Sequence, residues 1–95
     1  MDLTFLSRLE EIIDSRAGDQ SQDSYTASLI AAGTKRIAQK VGEEGVELAL
    51  AAVEGNRDEI LNEAADLVYH LLVLLRSQDV TLSDLVATLE VRHTG

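Results

Sequence analysis

Glu43, Glu44 and Glu47 in the stretch EEGVE, with Glu63 and Asp66 in EAAD, are the residues best equipped to do chemistry. A carboxylate only accepts hydrogen bonds, so several brought together need protons or cations between them. At ~5 Å and an effective dielectric of ~20, each pair repels by roughly 3 kcal/mol. Hard oxygen donors, in a chain with no cysteine, point to Mg²⁺, with Mn²⁺ as a substitute, rather than to zinc. Each motif alone is ordinary, because acids spaced along a helix commonly form a solvated face. Their joint placement depends on the elements that carry them.

The first of those elements is a helix over roughly 34–54, about 30 Å long at 1.5 Å per residue. Ile37, Val41, Leu48 and Ala52 form one apolar stripe along it, and Val46, Leu50 and Val53 a second, nearly opposite. At 100° per residue Glu44 lies at the edge of the first stripe. Glu47 is offset by ~60° toward the polar side, and Glu43 points into solvent. Gly55 ends this helix, and Asn56 with Glu59 resembles a capping box opening the next, over roughly 57–77. The connection is only Gly55 and Asn56, so the two helices are expected to be antiparallel neighbours. Glu47 lies eight positions before Gly55 and Glu63 seven after Asn56, so the spacing can pair Glu47 with Glu63 and Glu44 with Asp66. His70, one turn beyond Asp66, shares its polar flank; packing is the commoner role for such a residue, and catalysis the sharper one.

Three further helices complete the expectation. Leu3, Leu6, Leu9, Ile12 and Ile13 mark an amphipathic helix over roughly 3–16, followed by a polar loop, AGDQSQDS. Ser24 can cap a short helix stopped by Gly33, and Thr34 can cap the long one. Thr81 and Asp84 form a cap for a last helix over roughly 82–92. No stretch alternates like a strand, so residues 1–95 are expected to form a single all-α domain, a bundle of four or five helices. In the 57–77 helix, Leu61, Val68, Leu72 and Leu75 widen the face made by Ile60, Leu67, Leu71 and Leu74. Both middle helices are thus apolar over much of their circumference, more than a chain of 95 residues can cover. Helices packed across a homodimer are the simplest remedy.

Composition narrows the classes. Hydrophobic residues make up 45% and charged residues 26%, which fits a globular domain rather than disorder. Aromatics are only 3%, leaving an aliphatic core suited to packed helices, and proline is absent, so no helix is interrupted. The net charge of −9 should repel nucleic acid, anionic membranes and free phosphate-rich ligands. Divalent cations standing between the acids and a phosphate reverse that last expectation. The amino terminus resembles neither a signal peptide nor a membrane span, so a cytoplasmic protein is expected.

The residue pattern resembles a known group. EEGVE followed by EAAD is similar to the signature of the MazG-like all-α nucleoside triphosphate pyrophosphohydrolases. The flanking text is narrower: Ser24-Tyr25-Thr26, Leu29, Gly33, IAQKVGEEGVELALAA and NEAADLVYHLLVLL resemble the phosphoribosyl-ATP pyrophosphatase family of histidine biosynthesis over about residues 22–93. The resemblance implies that Glu44, Glu47, Glu63 and Asp66 hold Mg²⁺. It also implies hydrolysis between the α- and β-phosphates of phosphoribosyl-ATP, giving phosphoribosyl-AMP and pyrophosphate. The metal would neutralise phosphate oxygens and acidify a water, and a carboxylate at the rim would take the proton, with no single base distinguished. Lys40 occupies the lysine of the family's KxGEE pattern and is a candidate phosphate contact. Lys35 and Arg36 are weaker candidates of the same kind, and the Ser24 and Thr26 hydroxyls are candidate ligand donors from the loop. Gly45 departs from the helix former usual there. In some organisms this activity is fused to a cyclohydrolase, and the chain's length suggests a free-standing form. The rival readings are a house-cleaning (deoxy)nucleoside triphosphate pyrophosphatase with the same acids, and a non-catalytic helical dimerisation module.

Overall fold

The computed structural model describes residues 2–18 and 24–95. Among them the chain is all-helical: α1 (Phe5–Ala17), α2 (Tyr25–Ala32), α3 (Thr34–Glu54), α4 (Arg57–Ser77) and α5 (Leu82–His93). The middle of the expected polar loop, residues 19–23, lies outside the described residues.

The α3–α4 hairpin is the centre of the molecule. Gly55 adopts φ 76, the left-handed region that glycine enters without a Cβ clash, and its N–H closes on the carbonyls of Ala51 and Ala52. Asn56 then caps α4, its side chain accepting from the Glu59 N–H at 3.2 Å. Two residues thus reverse the chain, and the helices run back along each other. At the far end Gln78, just past α4, donates to the Thr34 hydroxyl at 3.0 Å. That contact corrects one expectation. Thr34 does not cap α3, because Gly33 at φ 98 and ψ 169 is the only residue between α2 and α3 and itself occupies the cap position.

α2 packs on α1, α3 and α4, and α1 also reaches α4. Their shared core is Ile13, Leu29, Ile37, Leu72 and Val73, with Leu9, Ile30, Tyr69, Leu74 and Leu82 against it. Ser24 caps α2 as expected, accepting from the Ala27 N–H at 3.3 Å. α1 begins two residues later than its apolar pattern, leaving Leu3 exposed. α5 carries a full capping box between Thr81 and Asp84 and docks through its first turn, where the Leu82 N–H donates to Glu10 at 2.6 Å.

The stripes read from the sequence are slightly out of phase with the packing. On α3, Ala51 is buried and Ala52 exposed. On α4, Val73 is fully buried although it belonged to neither expected face. α4 is touched by α1, α2 and α3 together, so its buried sector is wider than a single helix pair produces. The second α3 stripe is uncovered in this chain: Val46, Leu50 and Val53 are exposed, the last at 86%, and Leu61 of α4 is exposed too.

Candidate metal centre

The two acidic motifs meet where the wheel geometry places them. Ligand oxygens of Glu44 on α3 and of Glu63 and Asp66 on α4 lie within 4.8 Å of one another. Glu44 is buried, with 6% of its surface exposed, because its Cβ leaves α3 beside Ile37 and Ala51 toward α4. Glu63 is half-buried, while Asp66 and Glu47 are exposed. Glu47 stands beside Glu63. Glu43 is turned outward, accepting from Gln39 Nε2 at 2.9 Å.

The electrostatics follow from this crowding. Oε2 of Glu63 is buried, and no donor among the described residues reaches it; its neighbours Glu47 and Glu44 are acceptors. The Glu63 carboxyl is therefore pushed up from its usual 4.5 to about 7. The hydrogen-bonding contact with Glu47 contributes most, followed by burial, the charge of Glu47, and Glu44. A buried, donor-less carboxylate oxygen beside two acids has two remedies, a proton or a cation. Three all-oxygen side chains converging from two helices fit a hard divalent cation.

Two donors approach Glu44. Lys40 Nζ, one turn earlier on α3, is 3.7 Å from Glu44 Oε1 and 3.7 Å from Glu43 Oε2. His70 Nδ1, on α4, is also 3.7 Å from Glu44 Oε1. Of the other sequence candidates, Lys35 is exposed and, nine residues before Glu44, points about 180° away from it around α3. It is not brought to the cluster. Thr26 is not on a loop but in the first turn of α2, fully buried, its hydroxyl bonded to that of Tyr69. The Ser24 hydroxyl oxygen caps α2.

Sequence reasoning undervalued two residues. His70 is buried, not merely flanking, and Tyr25 binds it through its hydroxyl at 2.8 Å. The i, i+4 placement of Asp66 and His70 was a partial signal. The pairing with Tyr25, 45 positions away, depends on how α2 docks and leaves no trace in local spacing.

Such a bundle, with acids from both arms of a central helical hairpin, belongs to the MazG-like all-α class. The family model described as phosphoribosyl-ATP pyrophosphohydrolase matches residues 6–93, and the chain belongs to that family. Among curated relatives, the histidine biosynthesis bifunctional protein HisIE of Shewanella oneidensis is 61% identical over 89 residues, covering 94% of this chain and 42% of that protein. The proteins of the same description from Photobacterium profundum and Pasteurella multocida are 56% and 59% identical, covering 96% and 98% of this chain and 44% and 46% of theirs. The chain thus spans less than half the length of these relatives. None of its described helices is long and apolar enough to cross a membrane.

Proposed function

We propose that this chain hydrolyses phosphoribosyl-ATP to phosphoribosyl-AMP and pyrophosphate, the second step of histidine biosynthesis, in the cytoplasm, as a single domain spanning residues 1–95. The observation that carries this reading is the convergence of Glu44, Glu63 and Asp66 around a buried oxygen that no described donor reaches, in a chain of this family. Glu44, Glu47, Glu63 and Asp66 are the residues that would hold Mg²⁺. When bound, Mg²⁺ offsets phosphate charge and acidifies water.

The chain's own groups do the rest. Glu44 and Glu63, anchored on packed helices, keep the cluster's geometry fixed at its buried end. Glu47 and Asp66 are its exposed members, open to water and able to take up a proton at the rim. Lys40 stands at the same edge with its ammonium partly exposed, near enough to leave Glu43 for a phosphate oxygen. Ser24, whose oxygen accepts from Ala27, can offer its hydroxyl proton to the substrate. Lys35, turned from this cluster, is left a lesser part in substrate binding. A homodimer is part of the same proposal, supported by the uncovered stripe on α3.

The test is pyrophosphate release with Mg²⁺ from phosphoribosyl-ATP, run beside ATP, dCTP and dUTP, with Asp66→Asn as control. Strong preference for phosphoribosyl-ATP, lost in the control, is the expected result. Preference for a deoxynucleotide would keep the acidic cluster and replace the substrate. No release from any of the four would leave a helical module without this activity.

A further inference from the structure

His70 has no part in the chemistry outlined above, yet it is one of only three buried polar or charged residues among the described ones, 5% exposed. Both ring nitrogens are engaged. Nδ1 donates to the Asp66 carbonyl at 2.8 Å, which can only accept, so the proton on that nitrogen is assigned by its partner. The same nitrogen lies 3.7 Å from Glu44 Oε1, an electrostatic contact rather than a hydrogen bond. Nε2 is bonded to the Tyr25 hydroxyl at 2.8 Å, and the two rings meet edge to face with centroids 5.8 Å apart. Tyr25 also stacks on Tyr69 at 6.3 Å, and Tyr69 holds the buried Thr26. The first turn of α2 is therefore fastened to α4 by two side-chain hydrogen bonds, one of which ends on a ring touching the acidic cluster.

We propose that His70, oriented by Tyr25, is a positioning residue for the acidic cluster: its Nδ1–H, bonded to the Asp66 carbonyl, sets an electropositive ring edge 3.7 Å from Glu44 Oε1 and so ties the cluster's grip on a divalent cation to the docking of α2. The inference rests on the reading of the cluster as a cation site. Packing alone does not explain the residue, since an apolar ring would fill the same volume without needing two partners. What the imidazole adds is a fixed polar edge beside Glu44 Oε1, the same oxygen that the partly exposed Lys40 approaches. Without it, Glu44 would keep only the approach of Lys40, which is shared with Glu43. Groups that orient a metal-binding side chain commonly alter affinity by about 10–100-fold when removed.

The experiment is Mn²⁺ titration of the full chain, following free Mn²⁺ by electron paramagnetic resonance, with the metal-free melting temperature measured alongside. His70→Phe keeps an aromatic ring and removes both nitrogens; His70→Asn restores a donor near the Nδ1 position; Tyr25→Phe removes only the hydroxyl. The expected result is about 10-fold or greater weakening in His70→Phe, recovery of most of that loss in His70→Asn, and a smaller weakening in Tyr25→Phe. A purely structural role would lower the melting temperature and leave Mn²⁺ affinity of the folded protein unchanged, which would overturn the proposal. Equal weakening in His70→Phe and His70→Asn would overturn it too, since ring volume would then be what matters. Should His70→Phe fail to fold, Tyr25→Phe decides: weaker Mn²⁺ binding with an unchanged helical spectrum supports the proposal, and unchanged binding overturns it. Wild-type protein that binds no Mn²⁺ would remove the cation reading itself, whereas wild-type binding with indifferent His70 and Tyr25 variants would remove only this inference.

Discussion

Glu63 concentrates the tension of the molecule in one side chain. Its carboxyl is raised to about 7 in the folded chain, whereas an unfolded glutamate titrates near 4.3. A raised acid binds its proton more tightly when folded, so its contribution to stability is full below the unfolded value and is lost as pH rises through about 7. The metal-free protein, kept so with chelator, should therefore melt at progressively lower temperature between about pH 5 and pH 7.5. Glu63→Gln should flatten that slope and raise the metal-free melting point above that of the wild type at pH 8. Mg²⁺ should stabilise the wild type at pH 8 by binding only the folded form, and this increment should vanish in Glu63→Gln. Calorimetry across pH, with and without Mg²⁺, measures all three. At this scale the sequence was informative about the acids, because a helix wheel and one tight turn place Glu44, Glu47, Glu63 and Asp66 by local geometry. It was uninformative about His70 and Tyr25, whose partnership depends on tertiary docking.

Helix boundaries were legible wherever a side chain or a glycine sets them. Asn56, Thr81, Ser24 and Gly55 each make the local bond or dihedral that their residue type favours, and the ends fall there. The α2–α3 junction was misjudged because its one-residue connection leaves Thr34 already helical. The unusual backbone is then at Gly33, with φ 98 and ψ 169, where a side chain would be strained whatever the space around it. Gly33→Ala should cost about 1–3 kcal/mol in urea unfolding. By contrast, Gly42 and Gly45 sit mid-helix with open space where a methyl group would stand. Each should gain up to about 1 kcal/mol as alanine. If Gly33→Ala were neutral, the junction would have to relax by another route.

For the whole molecule, the uncovered α3 stripe is the largest departure from a self-sufficient domain. Val46, Leu50 and Val53, with Leu61 on α4, leave apolar surface that a 95-residue chain does not bury. A second copy packed there would cover it, and sedimentation should report a dimer that Val53→Glu converts to monomer. A wild-type monomer at all concentrations would overturn the dimer. The sequence anticipated this surplus of apolar surface because it is a matter of pattern and size. It did not anticipate Val73 in the core, since which side of α4 is enclosed depends on α1 and α2 together.

The two-residue turn at Gly55 and Asn56 also has a consequence in time. Every acid of the cluster lies between positions 44 and 66, on the two arms of one hairpin. Contacts so near in sequence close quickly, whereas α1 must return across a longer loop to reach α4. The cation site should thus take shape before the amino-terminal helix is in place. Mg²⁺ should accordingly speed refolding and not merely slow unfolding, displacing the folding limb of a stopped-flow chevron.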